Sequence, residues 1–339
     1  MSHFYMIMRS MNSLLLFAAK EMCANRCPEK KPALSAAAAL RWAGAIIVTG
    51  VSIAYLATLF DAEAFIAGFA AMNLWVLVFG LSGVIILNWV LRGLRWYALN
   101  RDSNPEYSLE RAYCDNAVAQ AVAEVTPSQS GEAIKIVLAA RKFPGTSPSF
   151  TAAFAVERAM DGSLYAAMAF AGLIFAPVLS AQLDWWAMLG ILALGGALCA
   201  AFFAWWIRKR QIPKYIQQVL AALATLEPMV LVTSIVLTVL QVATIILLWW
   251  WSFMIAGVEV SLVMTIFLIP VSMMAGIISF LPGGLGASDV SLVALLVLNG
   301  TSPEAALLAA AVLRLTSIYV AVLGGAHYML RFFLVRRSA

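Results

Sequence analysis

The sequence is poor in the residues that most enzyme sites are built from. Histidine occurs only as His3 and His327, and the four cysteines give a lone C-x-x-x-C (Cys23, Cys27) plus Cys114 and Cys199 in apolar or small-residue surroundings. That leaves no Cys/His metal spacing and no redox pair. A phosphate-binding P-loop and a nucleophile elbow are also missing, so no recognised catalytic, metal or cofactor motif is present, and a catalytic site would have to be built from Glu132, Asp289 and the arginines. Charge is scarce as well. Asp, Glu, Lys and Arg make up 12% of the chain against 63% hydrophobic residues, and the mean hydropathy is +0.91. Soluble domains carry roughly twice that share of charge, so a soluble globular domain is excluded.

What is present is a series of apolar runs about 20 residues long, enough to cross a bilayer as helices. The expected class is an all-α, polytopic integral membrane protein. The formal charge of +5 does not point to nucleic acid, because Lys and Arg sit at the ends of apolar runs, where they encode topology. Full spans are expected at about 42–60, 71–91, 149–179, 185–207, 229–253 and 304–333. Residues 1–40 form a basic interfacial segment, with Pro28 and Pro32 interrupting it and no cleavage site close behind the Leu14–Ala19 patch. Residues 211–228 read as a soluble linker, and 333–339 as a basic tail.

The transmembrane domain, 41–332, is organised around an internal duplication. Pro127 and Gly131 followed by Gly145-Thr146-Ser147-Pro148 recur, each 155 residues later, as Pro282 and Gly286 followed by Gly300-Thr301-Ser302-Pro303. The halves are about 71–179 and 226–333, with 42–60 and 185–207 as extra spans. In each half a short helix follows the Pro-x-x-x-Gly element: 131–142 in the first, 287–299 in the second. Read as re-entrant hairpins, these leave the loops at 61–70, 180–184, 256–260 and 300–304 on one side, without Lys or Arg. The basic N-terminus, the 92–101 and 208–214 clusters, Arg141, Lys142 and the C-terminal arginines fall on the other side. The positive-inside rule makes that second side cytoplasmic, with both termini there. The two hairpins then enter from opposite faces, which gives an inverted-topology repeat of about six full spans plus two re-entrant hairpins, a plan common among secondary transporters.

Two sets of candidate site residues follow. At the hairpin tips, Pro127 and Pro282 end the preceding helices, Gly131, Gly283, Gly284 and Gly286 permit close backbone approach, and Ser130 and Ser288 are suited to capping helices whose N-termini attract anions. Arg158 and Arg314 lie ten and eleven residues beyond Pro148 and Pro303, about 15 Å into their spans. An arginine at such depth costs at least about 2.5 kcal/mol, so it needs a ligand or a partner. Phosphate suits its planar fork. Ion pairing with Glu157, Asp161, Glu132 or Asp289 is the competing reading.

Pro127-x-x-x-Gly131-Glu132, Glu157-Arg158-x-x-Asp161 and Pro282-Gly-Gly-Leu-Gly286-x-x-Asp289 followed by Arg314 resemble the transmembrane, flippase-like region of the lysylphosphatidylglycerol synthase family over about residues 40–332. The first tip departs from the pattern, with Ser128-Gln129-Ser130 in place of a more basic, glycine-rich sequence. The family's soluble aminoacyl-transferase domain has no counterpart here, so the resemblance implies a stand-alone member that moves lipid without aminoacylating it. The expectation is a flippase in a bacterial cytoplasmic membrane, taking an anionic, phosphate-bearing or glycosylated lipid. Lipid-biosynthesis enzymes and a second copy of the chain are the partners it leaves room for. An integral membrane enzyme acting on a lipid phosphate and a scaffold of a lipid-synthesis complex are the alternatives that composition leaves open.

Overall fold

The computed structural model describes residues 50–51, 54, 56–72, 75–175, 214–279, 281 and 283–337. They belong to one compact unit, Ile47–Ala339; the unit before it, Met1–Ile46, lies outside the described residues. So do Pro282, the span expected at 185–207, most of that at 42–60, and Cys199.

Ten α-helices occur among the described residues: α1 Ala62–Ala71, α2 Leu81–Asn100, α3 Leu109–Val125, α4 Ile134–Lys142, α5 Ser147–Phe175, α6 Lys214–Ala224, α7 Pro228–Ile255, α8 Leu262–Ile278, α9 Ala287–Leu298 and α10 Pro303–Arg337. A π-turn, Val76–Gly80, leads into α2, and a 3₁₀ turn, Ser130–Ala133, leads into α4. No β-strand occurs among the described residues. The protein is an all-α integral membrane protein. Three of the described helices are long and apolar enough to cross a bilayer: Val78–Asn100, Pro228–Ile255 and Pro303–His327. Helix α5 has 29 residues, about 44 Å at 1.5 Å per residue, but it carries Glu157, Arg158 and Asp161 in its middle.

The order long helix, helix, short helix, long helix occurs twice, as α2-α3-α4-α5 and α7-α8-α9-α10. The match extends to the capping chemistry. Ser108 accepts a hydrogen bond from the Arg111 N–H at the start of α3, and Ser261 accepts one from Met264 at the start of α8. Gly145 and Gly300, 155 residues apart, hold φ of 86° and 89° before α5 and α10. Packing between the copies exchanges partners: α3 lies along α10, α8 lies along α5, and α2 and α7 lie along each other.

Three expectations need correction. Residues 61–70, read as a loop, form α1. Residues 211–228, read as a linker, contain α6, whose half-buried Ile216, Val219 and Leu223 repeat at helical spacing. Helix α6 packs on α5, and the Tyr215 hydroxyl bonds Ser147 and Thr151 at 3.1 and 2.6 Å. The span expected at 71–91 runs on to Asn100. Arg92 and Arg95 are therefore inside a helix and buried, rather than in a basic cytoplasmic loop. The helix continues because both side chains meet carboxylates within the protein, which removes the penalty that would end a span at a charge. The basic loop of 92–101 thus reduces to Arg101, which is exposed beside Asp102.

In lipid there is little hydrophobic drive between helices, so close backbone packing decides association. A Cβ on Gly324 of α10 would lie 2.6 Å from both the Ala117 carbonyl and the Ala121 Cβ of α3, whereas nothing lies within 4 Å of one on Gly83. Gly324→Ala is expected to lower the thermal midpoint in detergent, with an overpacking cost of about 1–3 kcal/mol. Gly83→Ala should leave it unchanged or raise it by up to about 1 kcal/mol through helix propensity. A Gly324→Ala protein as stable as the parent would contradict the α3 to α10 contact.

Candidate functional site

The turns after α3 and α8 bring the two copies together at their tips. Gly283 donates its N–H to the Thr126 carbonyl at 3.4 Å, and the Ser128 hydroxyl donates to the Ile277 carbonyl at 2.9 Å. Gly283, Gly284 and Gly286 have φ of 58°, 65° and 84°, in the left-handed region that glycine adopts without strain. Ser128 and Gln129 adopt φ of 51° and 56° in the first tip, at roughly 1–2 kcal/mol each. The first tip thus reproduces with a serine and a glutamine the backbone that the second makes from glycines. Pro127 forms part of that first turn, and its carbonyl accepts the Ser130 N–H at 3.0 Å.

Neither expected serine caps its helix. Ser130 is exposed; the N–H of Gly131 is accepted instead by the Thr126 hydroxyl at 2.8 Å. At the second tip the Asp289 carboxylate reaches back to the Gly286 N–H at 2.9 Å, while Ser288 donates to the Gly284 carbonyl at 2.9 Å. A carboxylate three residues into a helix outcompetes a hydroxyl two residues in, because charge strengthens its bond to the N–H.

Around these tips lies a network of charges. Glu132, buried just after the first tip, bonds Arg92 of α2 and, through both oxygens, Arg158 of α5 at 2.6 and 2.9 Å. Asp161 accepts from Arg158 at 2.7 Å and from Arg95 at 2.6 and 3.1 Å. Glu157 accepts from Arg95 at 3.2 Å and from Lys135 of α4. The side chains of Arg95, Glu157 and Lys135 are 0% exposed. Lys135 also lies 4.5 Å from the Trp96 ring and donates to the Asn116 amide oxygen at 3.2 Å, so its charge is met from several directions. Outside the spans, the Tyr107 hydroxyl donates to Asp115 at 2.7 Å, and burial beside that carboxylate raises its pKa.

Glu157 flanks Arg158 in sequence but does not pair with it. Successive helical residues point about 100° apart, so Glu157 turns toward Arg95, and Arg158 turns toward Glu132 and toward Asp161 three residues on. In the second copy Arg314 of α10 holds Asp289 through Nε and Nη2 at 2.7 and 2.9 Å, and the Gly283 carbonyl through Nη1 at 2.7 Å. Each copy therefore joins the arginine of its long helix to an acidic residue of its own hairpin.

Between the hairpins lies a cavity of about 220 Å³ whose lining includes Arg92, Arg158, Arg314 and Glu124. Arg158 is the most open of these three arginines, with 36% of its side chain exposed. Arg92 Nε, Arg158 Nε and the Ser272 hydroxyl, all on lining residues, have no hydrogen-bond partner among the described residues. Arg92, Arg95 and Lys135 are the site members that sequence reasoning did not place there, whereas Glu124 is readable from the sequence as a membrane carboxylate, like Asp115, Glu132 and Asp289, able to carry a proton or to balance the arginines. Basic residues after an apolar run carry the same signal whether they face water or a buried carboxylate. No group of three His, Cys, Asp or Glu residues suited to a metal occurs among the described residues.

A family model describing the lysylphosphatidylglycerol synthase TM region matches residues 41–325. The chain belongs to this family. The match covers every element of both hairpins and ties the protein to membrane-lipid biochemistry. Among curated proteins, none matches the chain.

The depth of pairing predicts a graded response to mutation. Arg95→Met leaves Glu157 and Asp161 short of a buried cation and should cost about 3–5 kcal/mol of stability. Arg101→Ala, at an exposed pair, should cost no more than about 1 kcal/mol. Thermal unfolding of the purified variants checks this, and equal midpoints for the two would contradict the network.

Proposed function

We propose that this protein is a lipid transporter rather than an enzyme, moving an anionic lipid with a phosphate-bearing or glycosylated headgroup between the leaflets of a bacterial cytoplasmic membrane. The observation that carries this is the cavity between the touching tips, lined by three arginines, two of which, Arg92 and Arg158, leave their Nε groups unpartnered. Arginine nitrogens in such a place bind phosphate oxygens two at a time. At about 220 Å³, the cavity falls below the roughly 300–1,000 Å³ of sites that enclose whole ligands. It suits a headgroup whose acyl chains stay in the bilayer.

In this reading the hairpins are re-entrant and the halves inverted, so that the cavity sits near mid-membrane and opens to either side in turn. The exchange of packing partners between the copies, α3 with α10 and α5 with α8, fits a twofold relation of the halves, and the charge asymmetry of the loops puts that axis in the membrane plane in this reading. Both termini are then cytoplasmic. Substrate enters by displacing carboxylate contacts from Arg158 and Arg314. Pro127, Ser130, Gly131, Gly283, Gly284, Gly286 and Ser288 shape the tips, and Glu132, Asp161 and Asp289 hold the arginines until the headgroup arrives. Glu157, bonded to Arg95 and Lys135, supports the network from behind.

Reconstitution in liposomes with headgroup-labelled phospholipids tests the proposal. Wild-type protein should carry label across without forming a new lipid species; a new product would instead mark an enzyme. Arg158→Lys keeps the charge and loses the fork, so transport should fall about tenfold or more. The double variant Arg158→Gln with Glu132→Gln should regain expression over Arg158→Gln alone and remain inactive. Full recovery of transport in the double would show that Arg158 serves only to neutralise Glu132.

A further inference from the structure

The network is balanced in charge, and one of its members has no ionic partner. Arg92, Arg95, Lys135, Arg158 and Arg314 face five carboxylates, Glu124, Glu132, Glu157, Asp161 and Asp289. Four of those carboxylates lie within 4.0 Å of an arginine or lysine. Glu124, in the last turn of α3, lines the cavity together with Ser317 of α10. Among the described residues no arginine or lysine comes within ion-pair distance of it; Arg314 and Arg92 act on it only from farther away. It also sits at the contact between the tips, since a Cβ on Gly283 would lie 2.7 Å from the Glu124 carbonyl oxygen.

We propose that Glu124 is the proton-binding site of the transporter: a proton enters the cavity and neutralises Glu124 whenever a phosphate-bearing headgroup occupies it. The inference rests on the lipid-site reading above and adds the coupling ion. With Glu124 ionised the buried cluster is neutral, and a monoanion would leave one uncompensated negative charge, which a low-dielectric interior opposes strongly. Uptake of one proton restores neutrality. The other charged groups lining the cavity are Arg92 from α2, Glu132 from the 3₁₀ turn, Arg158 and Asp161 from α5, Asp289 from α9 and Arg314 from α10, with the Tyr165 phenol beside them. Each of those carboxylates is in contact with a guanidinium, and Glu124 is the one that is not. The empty site holds Glu124 ionised and the filled site holds it protonated. Headgroup affinity is therefore full at low pH, falls as pH rises through the empty-state titration, and levels off above the filled-state one.

The full-length protein in detergent, titrated with a short-chain phosphatidylglycerol whose phosphodiester keeps a single charge, provides the test. Wild-type Kd should rise about tenfold per pH unit within the titration window. Glu124→Gln, a neutral mimic of the protonated form, should bind with the wild type's low-pH affinity at every pH. A wild-type Kd independent of pH, or an unchanged slope in Glu124→Gln, overturns the proposal. If Glu124→Gln does not fold, proton uptake by the wild type in weakly buffered solution, followed across the pH range, decides: a maximum of about one proton taken up per lipid bound, between the empty-state and filled-state titrations, supports the linkage, and no uptake at any pH overturns it. Absence of binding at any pH would remove the lipid site itself and the linkage with it, a failure distinct from binding that ignores pH.

Discussion

The carboxylate of Glu132 is the joint on which the site depends. It lies one residue past the glycine of the first tip, and it holds Arg92 of one long helix and Arg158 of another. Position and charge are thereby fixed together: the hairpin is anchored to α2 and α5, and three charges that would each be costly in lipid become tolerable. Asp161 and Glu157 extend the same arrangement to Arg95 and Lys135. The charges of the first copy therefore form one connected body.

The second copy is built differently. Its α8 and α9 are almost wholly apolar, and its tip is fastened by one arginine that bonds Asp289 together with the carbonyls of Gly283 and Gly284. A hairpin held by several interlocked ion pairs and another held by a single guanidinium across glycines differ in how readily they move. In the transport reading Arg314 exchanges backbone carbonyls and Asp289 for substrate oxygens, whereas Arg158 exchanges carboxylates.

Much of this architecture was legible from the amino acids. The register of 155 residues shows in the paired glycines 145 and 300, whose backbone angles agree closely, and the hairpins follow their Pro-x-x-x-Gly elements. Arg158 and Arg314 stood out because each interrupts an apolar run. Arg92 and Arg95 did not, since a basic residue at the end of such a run is the usual topological signal and only the position of Glu132, Glu157 and Asp161 in space reveals otherwise. Lys135 was hidden in the same way, near Arg141 and Lys142 on a short helix. The capping serines failed for a more local reason: Thr126 and Asp289 reach the same N–H groups with better geometry or greater charge. Glu157 shows the limit of adjacency, because neighbours in sequence face apart on a helix.

The central claim, that a lipid headgroup occupies the space between the two tips, is tested most directly by photo-crosslinking. A phospholipid with a photoreactive headgroup, equilibrated with the reconstituted protein and irradiated, should label residues on the cavity wall such as Gln120, Ser272 and Ser317. Unlabelled phospholipid in excess should suppress that labelling. Headgroup crosslinks confined to the exposed apolar surface of α7, around Val232 and Val236, with the cavity peptides unlabelled, would contradict the account.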